Sequence, residues 1–224
     1  MNLLLTSAGL SNKTLADTFI RLCPISVEKV SVAFIDTASK VESDDWFVEK
    51  DINILKTIGF KNIKRINIAQ PETEWFATLV DAQVCFIEGG NTFYVLHHFK
   101  ESGLIEEFGK LMSGKLFVGI SAGSILATPT IGISTVEPAD PNNVNLTDLT
   151  ALNMVDFEVS PHTNDEVSIE GVKAYAKTAK NPVYAIDDNS AVLVENGNVS
   201  VVGEGKWEIL GKINTKTIFL IPND

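Results

Sequence analysis

The first 121 residues alternate short apolar segments with longer segments whose apolar residues recur at helical spacing. The predicted strands cover residues 2–7, 30–36, 63–68, 83–90 and 115–121, and the predicted helices cover residues 13–22, 46–60, 74–82 and, as one or two helices, 92–112. Strands such as NLLLTS have no polar face, which is typical of a parallel sheet covered by helices on both sides. The sequence therefore predicts an α/β fold with a doubly wound, mostly parallel sheet.

The pattern is looser after Pro129. A long loop is predicted at residues 134–148, strands at 155–162 and 182–188, a helix at 169–180, a hairpin at 190–202 and an edge strand at 215–222. The hairpin rests on the pair Asn196-Gly197 between two alternating apolar runs, which is the strongest short-range signal for such a turn. Since no segment has the composition of a linker, we expect residues 1–224 to form a single domain.

The charge of the chain limits its partners. Eighteen basic and 29 acidic residues give a formal net charge of −11, which argues against nucleic acid and anionic membranes as partners because both need a basic surface. The start, MNLLLTSAGL, is too short and uncharged for a signal peptide, and no apolar run is long enough for a membrane span. Cys23 and Cys85 lie in apolar contexts and are expected to be thiols of a cytoplasmic protein rather than a disulfide.

The segment FVGISAGSILATP contains Gly119-Ile120-Ser121-Ala122-Gly123, a G-x-S-x-G pattern between a predicted strand and a short helix. This is the context in which a serine on a sharp turn acts as a nucleophile. Small residues also occur wherever a helix leaves a strand closely, so the pentapeptide alone leaves both interpretations of Ser121 open.

A nucleophilic serine needs a base, and three histidines are available. His97 and His98 are adjacent on a predicted helix, whereas His162 follows a predicted strand, at the edge where the carboxyl ends of parallel strands meet. Asp187 and Asp188 follow the next strand and could orient the imidazole, although at least one of them fits a solvated acidic turn. The order serine, histidine, aspartate differs from that of ordinary α/β-hydrolases.

An oxyanion hole needs backbone N–H donors beside the serine. One donor is the N–H of Ala122, and a second could come from the EGGNTF segment, where Gly89 and Gly90 lead from a strand into a helix. A tight strand-to-helix turn explains the two glycines equally well. No cluster of histidine, cysteine and carboxylate residues has the spacing of metal ligands, so neither a metal nor another cofactor is expected.

Four segments together, EGGNTF, GISAGS with ATPT, VSPHTN and AIDDNSA, resemble the peptidase E (aspartyl dipeptidase) and cyanophycinase family of serine peptidases. The resemblance runs through most of the chain. It implies a flavodoxin-like fold related to class I glutamine amidotransferases, with a serine in place of their cysteine, and a Ser-His-Glu triad. The implied site residues are Ser121 as nucleophile, His162 as base, Asp188 as acid, Gly89 and Ala122 as oxyanion donors, and Gly90, Asn91 and Lys177 as substrate-binding residues.

Three departures from the family pattern bear on activity. Asp188 is one methylene shorter than the family glutamate, which keeps Asp187 open as an alternative. Glu88 stands where peptidase E has another glycine and adds a negative charge near the oxyanion site. The segment after His162 lacks the arginine that aspartyl dipeptidases carry, and Lys177 lies closest to its position, although a solvated helix face also explains this lysine.

The resemblance implies a serine peptidase, a dipeptidase or exopeptidase, that hydrolyses small peptides through an acyl-enzyme. The alternative is a catalytically weak relative that binds a small ligand in the same cleft, which the Glu88 and Asp188 departures favour. The expected partner is a small peptide, and the sequence leaves a homodimer open.

Overall fold

The computed structural model describes residues 1–164 and 167–212. The strands are β1 (Asn2–Thr6), β2 (Ser31–Ile35), β3 (Asn62–Ile66), β4 (Val84–Ile87), β5 (Leu116–Ile120), β6 (Glu158–Ser160), β7 (Val183–Ile186), β8 (Ser190–Glu195), β9 (Asn198–Gly203) and β10 (Trp207–Leu210). The α-helices are α1 (Lys13–Leu22), α2 (Trp46–Ile58), α3 (Glu72–Asp81), α4 (Thr92–Glu101), α5 (Leu104–Leu111), α6 (Ala122–Leu126) and α7 (Ile169–Ala176).

The central sheet has seven strands in the order β3-β2-β4-β5-β1-β8-β9. The first five are parallel, and β8 and β9 extend the sheet in antiparallel pairing. The predicted doubly wound, mostly parallel sheet is therefore confirmed. Its parallel strands end at one edge, which also receives the start of α6 and the loops after β1 and β4.

Both faces of the inner strands β1, β2, β4 and β5 are buried because these strands alternate two apolar sets rather than an apolar and a polar set. Leu4 of β1 and Phe86 of β4 pack with α1 and α2 on one face. Leu5 and Ile87, from the same strands, pack with α3, α4, α5 and α6 on the other face. This is the physical basis of the near-continuous apolar runs in the sequence.

The predicted C-terminal hairpin is confirmed as β8 and β9, which pair from Ser190 opposite Gly203 to Glu195 opposite Asn198. Asn196 and Gly197 form the turn, and both have positive φ angles, 52° and 81°. Such angles are required by the turn type that matches the twist of a two-stranded ribbon, which explains the Asn-Gly pair.

Strands β6 and β7 do not continue the central sheet. They are parallel to each other and form a separate three-stranded sheet with β10, in the order β10-β7-β6. The expectation that His162 reaches Ser121 along the edge of one shared sheet is therefore wrong. The place beside β1 is taken by β8, so β6 and β7 pack as a second sheet, with Val159 and Val183 in the core of the α4–α6 face.

Several local predictions can be compared with the structure. Gly59 caps α2 in a left-handed conformation, and the segment 92–112 forms two helices that Gly103 separates. The helix predicted at 169–180 ends at Ala176. The edge strand predicted at 215–222 lies outside the described residues, and the single-domain assignment for 1–224 stays a prediction.

Two further observations concern the whole described chain. Cys85 is buried and Cys23 is partly buried, and both are free thiols. Within residues 1–164 and 167–212, no helix combines the length and the apolar character that crossing a membrane requires.

The turn from β5 into α6 lies directly against β4. A Cβ atom at Gly123 would lie 2.0 Å from the carbonyl oxygen of Ile87, and one at Gly119 would lie 2.6 Å from the backbone nitrogen of Ser124. Both distances are far below contact, so the two glycines of the G-x-S-x-G pattern are required by close backbone approach.

We predict that Gly123→Ala lowers the free energy of unfolding by at least about 3 kcal/mol, because the rigid backbone of β4 must move to accept the methyl group. The matched control is Gly109→Ala in α5, where an added Cβ meets nothing within 4 Å. That variant should be stabilised by up to about 1 kcal/mol through helix propensity. Urea denaturation measures both, and similar midpoints for the two variants would contradict the packing described here.

Candidate active site

Ser121 occupies a sharp turn between β5 and α6. Its backbone angles are φ 49° and ψ −110°, a conformation that residues other than glycine rarely adopt. The turn is held because the Ser121 N–H donates to the carbonyl of Thr6, while its own carbonyl accepts from the N–H groups of Ser124 and Ile125. Strained backbone of this kind that the surrounding structure enforces is typical of functional sites.

His162 connects Ser121 to Asp188. Its Nε2 lies 3.0 Å from the Ser121 Oγ, and its Nδ1 lies 2.6 Å from Oδ1 of Asp188. A carboxylate can only accept, so Nδ1 carries the proton and Nε2 is free to accept from the serine hydroxyl. The three groups form one continuous line of hydrogen bonds.

The pKa of the Asp188 carboxyl is held below its ordinary value, chiefly by the hydrogen bond from His162, against the opposing effect of burial. Two further donors contribute: the Ser7 hydroxyl at 2.8 Å from Oδ1 and the Asn164 amide at 2.9 Å from Oδ2. Asp188 is therefore an anion that faces the imidazole, as the partner of a histidine base must be.

Asp187 has a different position. Its carboxylate accepts from the N–H of Asn189 at 3.0 Å, the hydroxyl of Ser190 at 3.0 Å and the N–H of Lys206 at 2.6 Å. These bonds fasten the β7–β8 turn to the segment before β10. Of the two aspartates, Asp188 is the one in contact with His162.

Ser7 belongs to the site and was missed by the sequence reasoning. Its hydroxyl accepts from the backbone N–H of His162 at 2.8 Å and donates to Oδ1 of Asp188. His162 has a positive φ of 54°. Ser7, which follows β1, holds this strained residue through the hydrogen bond to its backbone N–H. A signal was present, since Ser7 follows the first parallel strand at the edge where the other site residues were expected.

The two expected oxyanion donors lie beside Ser121. Ala122 is the first residue of α6, so its N–H is one of the amides that a helix leaves without an internal partner. Gly89 follows β4, and a Cβ atom built on it would lie 3.3 Å from the Cβ of Ser121. Both backbone segments therefore lie next to Ser121.

A cavity of about 440 Å³ opens next to Ser121. One wall is formed by the aromatic rings of Trp46 and Phe47 at the start of α2, and Trp46 is 62% exposed. Five carboxyl groups also line the cavity, those of Glu42, Asp51, Glu88, Asp140 and Asp188, together with Lys50 and His162.

Glu88 and Asp51 are the most deeply placed carboxyl groups of this cavity, with exposures of 1% and 6%. Burial and the charge of Asp51 raise the pKa of Glu88 well above its ordinary value, while the N–H of Gly89 opposes the shift. Burial raises the pKa of Asp51 to about 6, against the lowering effects of Lys50 and Glu88. Both shifts favour the protonated, uncharged form of these carboxyl groups.

The remaining predicted residues are placed as follows. Gly90 lines the cavity beside Ser121. Asn91 is 3% exposed, and its side chain caps α4 by accepting from the Tyr94 N–H and donating to the carbonyl of Pro141. Lys177 is exposed at the end of α7 and is not among the residues that line the cavity. Gly90 thus lies near Ser121, the Asn91 side chain is used in hydrogen bonds within the protein, and Lys177 lies outside the cavity lining.

Among residues 1–164 and 167–212, no group of three or more histidine, cysteine, aspartate or glutamate side chains is placed to hold a metal ion.

Comparison with known proteins gives a family match over most of the chain. The model of peptidase family S51 matches residues 3–202. An uncharacterised peptidase of Listeria monocytogenes serovar 1/2a is 31% identical over 205 residues, which cover 85% of this chain and 97% of that protein. Peptidase E of Salmonella typhimurium is 28% identical over 200 residues, covering 84% of this chain and 80% of that protein.

A solved structure has a similar fold. It is a crystal structure from Listeria monocytogenes EGD-e, described as "a Putative Peptidase E Protein", with a TM-score of 0.78 and 28% identity. The match covers 91% of this chain and 98% of that one. A peptidase from an acI-B1 Actinobacterium shares the fold at 19% identity and a TM-score of 0.69.

The raised pKa of Asp51 leads to a prediction about stability. The folded protein keeps a proton that the unfolded chain releases near pH 4, so the free energy of unfolding falls as the pH rises from about 4 to about 6. Asp51→Asn removes this contribution. Between pH 4.5 and 7.5, the wild type should lose roughly 1–3 kcal/mol relative to the variant.

Chemical denaturation at several pH values measures this difference. Asp17→Asn, an exposed aspartate on α1 that pairs with Lys13, is the matched control and should follow the wild type. Parallel pH curves for the wild type and Asp51→Asn would show that Asp51 is ionised throughout this range.

Proposed function

Because the chain belongs to peptidase family S51, we propose that it is a serine peptidase that hydrolyses small peptides with Ser121 as its nucleophile. The observation that carries this proposal is the continuous hydrogen-bonded line from Ser121 through His162 to Asp188, with contacts of 3.0 and 2.6 Å. A serine hydroxyl is a weak nucleophile until such a base removes its proton.

In the proposed reaction, the Ser121 Oγ attacks the peptide carbonyl while Nε2 of His162 takes its proton. Asp188 holds the imidazole in the tautomer that accepts at Nε2 and stabilises the imidazolium that forms. The imidazolium then protonates the leaving amine as the bond to it breaks, which leaves an acyl-enzyme. Water, deprotonated by the same histidine, attacks the acyl group and releases the product acid.

The N–H groups of Gly89 and Ala122 would stabilise the tetrahedral oxyanion. The donors are fixed by backbone structure before the substrate binds, so they need no reorganisation as the charge develops. Loss of one such donor typically costs two to three orders of magnitude in rate, which is the scale expected of each here.

The size of the site supports a small substrate. A cavity of about 440 Å³ lies in the range of sites for small molecules and accommodates a short peptide. Relatives named peptidase E support a dipeptidase. A preference for aspartate is not proposed for this chain, because five carboxyl groups line the cavity and Lys177 is not among its lining residues. We further propose a cytoplasmic location, in keeping with the free thiols of Cys23 and Cys85.

The competing hypothesis is a weak relative that binds a ligand in the same cleft. Its support from the shorter Asp188 side chain is reduced, because that carboxylate lies 2.6 Å from His162. Its remaining support is Glu88, which places an acidic group beside the oxyanion site.

We predict that Ser121→Ala lowers kcat/KM by at least about 10⁴-fold in a screen of dipeptides, since the nucleophile is removed. The matched control is Ser113→Ala, an exposed serine outside the cavity, which should leave the rate unchanged. If the wild type hydrolyses no peptide in the screen, or Ser121→Ala retains the wild-type rate, the proposed function is wrong.

A second prediction separates the two aspartates. Asp188→Ala should lower kcat by roughly 10²- to 10⁴-fold, because the imidazole can take the wrong tautomer. Asp187→Ala should instead lower the free energy of unfolding by about 1–3 kcal/mol through three lost hydrogen bonds, with kcat nearly unchanged. Steady-state kinetics and denaturation of both variants check this, and a larger loss of kcat at Asp187 would reverse the assignment.

A further inference from the structure

The carboxyl groups of Glu88 and Asp51 are buried and incompletely hydrogen-bonded among the described residues. Among the described residues, neither Oε2 of Glu88 nor Oδ1 of Asp51 has a hydrogen-bond partner, although both atoms are buried. The nearest cation, Lys50, has its Nζ 3.9 Å from Oδ1 of Asp51, beyond hydrogen-bond distance, and its side chain is 41% exposed. An unsatisfied buried carboxylate costs free energy, so the site is incomplete without a further donor.

The charge around the pair favours a positively charged donor. Glu42 and Asp140 line the same cavity, and burial together with the charge of Asp140 raises the pKa of Glu42. Five carboxyl groups therefore face one lysine and one histidine in the lining. A cavity with this balance attracts a cation and repels an anion.

The position of Glu88 limits how far the cation can be from the reacting carbonyl. Glu88 directly precedes Gly89, and both residues line the cavity beside Ser121. Because the N–H of Gly89 is an expected donor to the oxyanion, a cation bound at the Glu88 carboxyl would lie close to the reacting carbonyl. In a peptide, the α-nitrogen lies about 3 Å from the carbonyl oxygen of its own residue, whereas the end of a long basic side chain is farther away.

We propose that Glu88, supported by Asp51, binds the free α-ammonium group of the residue whose carbonyl Ser121 attacks. The preferred substrates are then peptides with an unblocked amino terminus that are cleaved after their first residue. The side chain of that residue would lie against Trp46 and Phe47. This assignment rests on the proposed function and adds to it the group by which the substrate is recognised.

The same contact explains how an acidic residue is tolerated beside an oxyanion hole. A free carboxylate at Glu88 competes with the oxyanion for the Gly89 N–H and repels its charge. A bound ammonium neutralises the carboxylate and adds a positive charge next to the developing oxyanion. The amino group is therefore expected to raise kcat as well as to lower KM.

The test compares Ala-Leu with propionyl-Leu, which differs from it by the absence of the α-amino group. For the wild type we expect kcat/KM to favour Ala-Leu by at least 10-fold, since a charge-assisted hydrogen bond is stronger than a neutral one. In Glu88→Gln, which keeps the shape of the side chain, the ratio should fall to within about threefold of unity. Glu107→Gln on the exposed face of α5 is the matched control and should keep the wild-type ratio.

Three outcomes would overturn the assignment. The first is a wild-type ratio below about threefold, and the second is an unchanged ratio in Glu88→Gln. The third is a preference for Lys-Leu over norleucyl-Leu that Glu88→Gln removes, while the ratio of Ala-Leu to propionyl-Leu stays unchanged. That result would show that Glu88 binds a basic side chain of the substrate instead of its α-ammonium group. Should Glu88→Gln fail to fold, Asp51→Asn is measured instead, and its Ala-Leu ratio should fall at least threefold.

Binding to an inactive protein separates this inference from the proposed function. Calorimetry with Ser121→Ala should show that alanine amide binds at least 10-fold more tightly than propionamide, and that adding Glu88→Gln removes the difference. If no dipeptide is hydrolysed but this difference is found, the peptidase proposal fails and the ammonium site stands. If peptides are hydrolysed but the two amides bind equally, the ammonium site fails alone.

Discussion

The hydrogen bond between Nδ1 of His162 and Asp188 is the contact on which the arrangement of the site depends. His162 follows β6 and Asp188 follows β7, both of the small sheet, whereas Ser121 follows β5 of the central sheet. Ser7, at the end of β1, bonds to both His162 and Asp188 and so fastens the small sheet to the central one. The geometry of the site therefore depends on how the two sheets pack.

This packing also explains how an aspartate can stand where the resembled family has a glutamate. The shorter side chain reaches the imidazole at 2.6 Å because His162 adopts a left-handed backbone conformation that the Ser7 hydroxyl holds. Asp187 fixes the next part of the turn through three hydrogen bonds, so the backbone that carries Asp188 has little freedom. The turn thus holds the shorter carboxylate within hydrogen-bond distance of the imidazole.

How much the sequence could predict differs from residue to residue. The strands and helices along the chain were predictable because they follow from local patterns of apolar residues. The sharp turn at Ser121 was predictable because Gly119 and Gly123 form a recognisable motif, and the structure shows that close backbone contacts require both glycines. His162 was identified by a strand-edge argument that assumed one sheet, although two sheets are present. Ser7 was missed because a serine after a strand has no distinctive pattern, and its role depends on two residues more than 150 positions away.

The buried carboxyl pair of Glu88 and Asp51 could not be predicted from local sequence patterns, because it forms only in the tertiary structure. In the sequence, Glu88 is an isolated negative charge beside two glycines, and Asp51 is one polar residue in an amphipathic helix. Folding buries both against each other and leaves an oxygen of each without a donor. A protein gains nothing in stability from such a pair, since apolar residues of similar size would fill the space at lower cost. The pair is therefore better explained by what it can bind than by what it contributes to the fold. Its place next to Gly89 connects recognition of the substrate to stabilisation of the oxyanion.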